Sequence, residues 1–236
     1  ECIKTNINGA MNLIDTCIDQ NVKRVVSLST DKASSPINLY GATKLASDKL
    51  FVASNSYSSG HDTQFAVVRY GNVMGSRGSV IPFFLKSKDQ GLLTITDKRM
   101  TRFMISLEQG VELVWHAFDN MVGGEIYVKK IPSMKITDIA HAVAPEAKLK
   151  IIGIRPGEKL HEQMIGPEDS HYTYEYPKYY KILPQINAWA DDVNRIKDGV
   201  KVSEDFIYNS NNNLEWMTKA NLQDWIVANQ HKIIKT

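Results

Sequence analysis

The chain has 236 residues, 28 basic and 26 acidic, for a formal net charge of +2. That length allows one good core and a small second lobe, and the balanced charge gives no basic stripe of the kind that marks a nucleic-acid footprint. No apolar run is long enough to span a bilayer, no signal peptide is legible, and Cys2 and Cys17 stand apart in a helical pattern, which suits a reducing compartment. The expectation is a soluble, cytoplasmic protein with no nucleic-acid partner and no membrane span.

Residues 1–20 place Ile3, Ile7, Ala10, Ile14, Cys17 and Ile18 at three- and four-residue spacing, the apolar stripe of a helix. Val25-Val26-Ser27-Leu28 predicts a buried parallel strand. It gives way at once to Ser29-Thr30-Asp31-Lys32, and a Ser/Pro loop over 33–37 follows. Asn38 is a good N-cap for a helix that carries Tyr40 and Lys44. Four residues apart, these two share one helix face. Ligands of a doubly wound sheet sit beyond the carboxyl ends of its strands, so this polar cluster is placed for chemistry. A phenol titrates near ~10, and a neighbouring ammonium favours the phenolate. Such a pair can take a proton from a hydroxyl while hydride leaves the same carbon. Tyr-x-x-x-Lys alone also fits an ordinary amphipathic helix; the polar cluster upstream shifts the balance.

Further on, Gln64–Tyr70 predicts a second buried strand, ending in the glycine-rich stretch Gly71-Asn72-Val73-Met74-Gly75-Ser76-Arg77-Gly78. There the backbone can approach a ligand closely. Short elements follow: a helix over 82–90, a strand over 92–96, an amphipathic helix over 106–118, a strand over 125–128, a helix over 136–143 and a strand over 148–154. Lys98 to Phe103 precedes the amphipathic helix and on its residues alone also fits a solvated basic turn. Arg155-Pro156-Gly157-Glu158-Lys159 reads as a turn before a helix over 159–164, and a last helix is predicted over 218–234. His141, His161 and His171 are isolated and read as structural or exposed. No Cys/His/Asp cluster has metal-ligand spacing.

The strand with Ser29-Thr30, the loop, and then Tyr40-Gly41-Ala42-Thr43-Lys44 resemble the active-site segment of the extended short-chain dehydrogenase/reductases. The Asp31-Lys32 pair and the residues from Ala33 to Tyr40 resemble the inverting UDP-N-acetylglucosamine 4,6-dehydratases and their relatives in bacterial polysaccharide biosynthesis. The likeness covers nearly the whole chain. It implies an α/β fold: the C-terminal portion of a doubly wound, Rossmann-type parallel sheet with a smaller mixed α/β substrate lobe. Residues 1–75 would be the remainder of the NAD(P)-binding domain with the catalytic segment. Residues 76–236 would be mainly the substrate lobe, with some elements returning to the first domain. No G-x-G-x-x-G turn precedes Tyr40, so the expectation is a chain that lacks the N-terminal dinucleotide-binding part. As given it would bind NADP weakly or not at all and show no dehydratase activity.

The resemblance assigns catalysis to Thr30, Asp31, Lys32, Tyr40 and Lys44, and the cofactor, NADP with NAD possible, to Leu28, Ser29, Tyr40 and Lys44. It assigns the substrate, UDP-N-acetylglucosamine, to Asn72, Val73, Met74, Gly75, Ser76, Arg77, Arg102, Arg155 and Glu158, with no metal. Guanidinium suits phosphate, so Arg77, Arg102 and Arg155 are expected near the diphosphate. The implied product is a UDP-4-keto-6-deoxy-hexosamine for surface-glycan or flagellin-glycan synthesis, pseudaminic acid included, made by a homo-oligomer. The competing readings are a UDP-sugar 4-epimerase, a retaining dehydratase of the same superfamily, and a non-catalytic nucleotide sensor. An epimerase needs no acid for a 6-hydroxyl, and a sensor needs neither acid nor base.

Overall fold

The computed structural model describes residues 1–57, 60, 62–185 and 192–233. In chain order the elements are α1 (Gly9–Asp19), β1 (Arg24–Thr30), α2 (Leu39–Tyr57), β2 (Gln64–Tyr70), β3 (Asn72–Val73), α3 (Val80–Ser87), β4 (Leu92–Ile95), β5 (Thr101–Ile105), α4 (Leu107–Asn120), β6 (Ile126–Lys129) and β7 (Ser133–Lys135). Then come α5 (Ile136–Val143), β8 (Lys148–Ile151), β9 (Gln163–Ile165), α6 (Pro167–Ser170), β10 (Thr173–Glu175), β11 (Tyr179–Ile182), α7 (Val193–Ile196), β12 (Val200–Lys201), β13 (Tyr208–Asn209) and α8 (Lys219–Ile233). A π-turn over Lys4–Asn8 leads into α1. The chain forms two units: Glu1–Tyr70 with Glu108–Lys130 and Gln163–Tyr208, and Gly71–Leu107 with Ile131–Glu162 and Asn209–Thr236.

Unit 1 is built on a six-stranded sheet in the order β1-β2-β6-β11-β10-β12. β1, β2 and β6 run parallel, with Arg24 opposite Gln64 and Val67 opposite Ile126; β11, β10 and β12 continue the sheet antiparallel. Phe65 to Arg69 of β2 are all buried, as an apolar strand covered on both faces must be. β1 is less buried than its sequence suggests. It is the edge strand, and Leu28 is 50% exposed. Ala66 and Val68 of β2 and Tyr127 of β6 pack against Leu113, Ala117 and Met121 of α4 and the residue after it.

Unit 2 holds a three-stranded sheet, β3-β5-β7, and a parallel pair, β4-β8. Its core joins Ile81 and Phe84 of α3, Leu93 and Ile95 of β4, Met134 of β7, Ile139 and Ala140 of α5 and Leu222 of α8. Each such large side chain contributes about 1.5–3 kcal/mol through burial. The helix over 136–143 forms as its spacing predicts. Thr101–Ile105 is a fully buried strand, which excludes the solvated basic turn that Lys98 to Phe103 also fitted. One expectation fails. The helix over 159–164 does not form. The carbonyls of Lys159 and Leu160 accept instead from the Arg102 guanidinium at 3.2 Å each, so they are not available to a helical ladder. The final residues of the helix predicted over 218–234 end outside the described residues.

Candidate active site

In unit 1 the strand end folds back on its own side chains. The Thr30 hydroxyl donates to Asp31 Oδ1 at 2.9 Å, and the Lys32 ammonium donates to the same oxygen at 3.0 Å. A 3₁₀ turn over Asp31–Ala33 brings this about, capped by Thr30 Oγ1, which accepts from the Lys32 N–H. Asp31 is 1% exposed, whereas the Lys32 side chain is 36% exposed. The second Asp31 oxygen, Oδ2, is buried and has no partner. Burying an unpaired carboxylate oxygen is costly, and a hydroxyl donor brought by a ligand would offset that cost.

The helix α2 starts as its sequence predicts: Asn38 Oδ1 accepts from the Gly41 N–H at 2.8 Å. Tyr40 stands 42% exposed. Lys44, one turn on, donates to the Leu28 carbonyl at 2.7 Å, tying the helix to the end of β1. Tyr70 neighbours Tyr40, and burial first, then Tyr40, pushes its phenol upward. Gly41 is where turn and helix meet. A Cβ there would lie 2.4 Å from the Lys32 carbonyl oxygen and 3.0 Å from Pro36.

Beneath this cluster runs a charge network absent from the sequence reading. Ser29 donates to Asp48 Oδ2 at 2.7 Å, and the Arg69 guanidinium reaches the same oxygen at 3.2 Å. Arg69 also donates to the Met164 carbonyl at 2.7 Å and to Asp169 at 3.0 Å. Burial raises the Asp48 carboxyl above its usual range against the pull of Arg69. The flanking carboxylates push Arg69 upward, although burial opposes them. Two signals could have found it. Asp48 stands one turn beyond Lys44 on the same face, and Arg69 is a charge inside an otherwise apolar strand.

Unit 2 carries a cavity of about 340 Å³ whose lining includes Asn72, Ser79, Thr96, Arg102, Arg155 and Glu158. The lining also includes the apolar Phe83, Ile95 and Ile152. This is the size and make-up of a small-molecule site. Four of the predicted substrate residues, Asn72, Arg102, Arg155 and Glu158, thus meet in one cavity. Val73, Met74, Gly75, Ser76 and Arg77 are not in its lining. Met74 is in the hydrophobic core, and Gly75, at φ +73°, lies where a Cβ would be 2.9 Å from Trp225.

The arginines differ. Arg102 is saturated by its own chain: the carbonyls of Thr101, Lys159 and Leu160, with Glu158 at 3.5 Å and Glu162 at 3.6 Å. The Arg155 guanidinium makes no ion pair among the described residues and borders the cavity from an exposed turn. That turn is closed by Glu158 N–H to the Arg155 carbonyl at 3.1 Å. No group of three or more His, Cys, Asp or Glu is placed to hold a metal among the described residues. Nor is any described helix long and apolar enough to cross a membrane.

The parallel strands with a Tyr-x-x-x-Lys helix after the first of them define a Rossmann-type protein of the short-chain dehydrogenase/reductase kind, and solved structures agree. The X-ray structure of Pen from Bacillus thuringiensis superposes with a TM-score of 0.84 at 34% identity, over 97% of this chain and 68% of that one. At 18% identity and a TM-score of 0.55, a UDP-N-acetylglucosamine 4-epimerase from Methanobrevibacter ruminantium M1 shares the fold over 66% of this chain and 58% of its own. The chain belongs to the polysaccharide biosynthesis protein family, whose model matches residues 1–184. A protein of Campylobacter jejuni (strain 81-176) named UDP-N-acetylglucosamine 4,6-dehydratase (inverting) is 57% identical over 233 residues, 96% of this chain and 70% of the relative. A Rickettsia canadensis protein named UDP-glucose 4-epimerase is 42% identical over 187 residues, 77% of this chain and 55% of its own.

Proposed function

We propose that this protein is a C5-inverting UDP-N-acetylglucosamine 4,6-dehydratase that uses NADP. The observation that carries the reading is Asp31: a buried carboxylate with one oxygen held by Thr30 and Lys32 and the other without a partner. It stands at the end of a parallel strand whose next helix presents Tyr40 and Lys44. The 57% identical relative bears the same name.

A nicotinamide nucleotide fits this donor set, because the Lys44 ammonium and Tyr40 hydroxyl lie on one helix face and suit a ribose and a sugar hydroxyl. When bound, the nicotinamide would supply a reversible hydride acceptor for this chemistry. Tyr40 takes the proton of the 4-hydroxyl. Within the Asp31–Lys32 pair the ammonium first passes a proton to the carboxylate; Lys32, then a free amine, removes the C5 proton that the 4-keto group acidifies, and Asp31, then an acid, protonates the departing 6-hydroxyl, which leaves as water. Proton return to C5 from the opposite face inverts that centre. An epimerase has no work for an acid at O6, so the Asp31–Lys32 pair favours the dehydratase.

The test is incubation of the full-length protein with UDP-N-acetylglucosamine and NADP in D₂O, followed by NMR. The expected product is a 4-keto-6-deoxy sugar with deuterium at an inverted C5. Lys32→Ala should block C5 exchange. A C4 epimer as product, or wild-type exchange in Lys32→Ala, would sink the assignment.

A further inference from the structure

Between the turn that carries Asp31 and Lys32 and the helix that carries Tyr40, the chain passes through Ser35 in a left-handed conformation, φ +44°. Residues with a Cβ seldom adopt it, and glycine is its ordinary occupant. Ser35 is exposed, so packing around its own side chain does not impose the geometry. Backbone in such a region persists only where its surroundings hold it. The holder is Gln163, the first residue of β9. Its amide nitrogen Nε2 donates to Ser35 Oγ at 2.8 Å and to Ser34 Oγ at 3.3 Å. Gly166 keeps the approach open: a Cβ there would lie 2.8 Å from the same nitrogen and 3.2 Å from Ser35 Oγ. β9 is itself fixed. The carbonyl of Met164, the next residue, accepts from the buried Arg69 guanidinium at 2.7 Å, and Arg69 also donates to Asp169 and to Asp48 of α2. One buried cation thus braces both the helix of Tyr40 and the strand that reaches the turn.

We infer that Gln163 is a positioning residue: through Ser34 and Ser35 it fixes the exit of the Asp31–Lys32 turn, and so sets the acid and the base relative to Tyr40. The inference rests on the dehydratase reading, because only elimination requires Asp31 and Lys32 to act on the sugar that has just given its proton to Tyr40. Tyr40 stands beyond the joint, on a helix held separately by the Lys44 bond to the Leu28 carbonyl and the Ser29 bond to Asp48. Loosening the joint should therefore spare the Tyr40 step and slow the one that follows.

Single-turnover mixing of the full-length protein with UDP-N-acetylglucosamine and NADP tests it, with reduced nicotinamide followed by absorbance and the 4-keto-6-deoxy product by NMR. Gln163→Leu should form reduced nicotinamide within about twofold of the wild-type rate, then hold it while product appears about tenfold to a hundredfold more slowly, the scale of a misplaced reacting group. Ser35→Ala, a change at an exposed side chain, should show the same split to a lesser degree. The double variant should be no slower than Gln163→Leu alone, because both changes break one bond. If Gln163→Leu lowers the melting temperature, the split in Ser35→Ala decides. Equal slowing of both steps, wild-type product formation in either variant, or additive losses in the double variant would overturn the inference and leave the dehydratase reading standing. A wild type that returns a C4 epimer would remove that reading, and the inference with it.

Discussion

In unit 1 the reactive and supporting side chains from Ser29 to Asp48 lie 19 positions apart at most, on one strand, one turn and one helix. In unit 2 the cavity wall is gathered from stretches around Asn72, Ser79, Thr94, Arg102, Ile136 and Arg155. The difference decides what a side chain's neighbours can be. In the first case the backbone geometry of a single turn sets them, so Thr30, Asp31 and Lys32 find each other by local rules. In the second, long-range folding decides which carbonyls reach which arginine. Arg102 and Arg155 look alike in sequence and end with opposite duties.

The largest contrast expected is between the buried support and the exposed chemistry of unit 1. Arg69→Met leaves Asp48 and Asp169 without their shared cation. Breaking a buried pair in this way costs about 3–5 kcal/mol, to be read as a fall in the urea midpoint. An unchanged midpoint would mean that the network adds nothing to stability. Tyr40→Phe should do the reverse: the ring is 42% exposed, so folding stays near wild type while turnover drops by ~10²–10⁴. Near-normal turnover would reduce Tyr40 to scaffold.

Smaller differences should separate the two arginines of unit 2. Arg102→Lys gives up bonds to the Lys159 and Leu160 carbonyls and should cost about 1–3 kcal/mol of stability. Arg155→Lys should leave stability alone and weaken UDP binding up to about tenfold, since lysine cannot present a bidentate fork. A swap of those two results would invert their assignments.

The smallest effect concerns acid. Burial, first among the causes, pushes the imidazoles of His116 in unit 1 and His161 in unit 2 below their ordinary value. Each takes up a proton more readily once unfolded. Stability is therefore fully present above about pH 6.5 and drains as pH falls through that value toward the lower folded one. His116→Gln and His161→Gln should each flatten part of this slope in urea midpoints taken at pH 7.5 and 5.5. A slope identical to wild type in both variants would place the acid sensitivity elsewhere.

Much of unit 1 was legible because its signals are local. The apolar run of β2, the Asn38 cap and the Tyr40–Lys44 spacing all depend on neighbours a few residues away. Arg69 lies inside a stretch legible only as a buried strand, although a charge there needs buried carboxylates to exist at all. In unit 2 the failed helix over 159–164 has the same origin. Its residues are acceptable helix formers, and the competitor was a guanidinium nearly sixty residues upstream.

Gly41 has a further consequence. Between the turn that presents Asp31 and Lys32 and the helix that presents Tyr40 there is room for a hydrogen and not for a methyl group, with the Lys32 carbonyl 2.4 Å from where a Cβ would stand. The gap between proton donors and phenol is thus gauged by an atom that is not there. Anyone redesigning this site by exchanging its reactive side chains inherits that gauge unchanged. A single Gly41→Ala exchange keeps every reactive group and moves the distance between them.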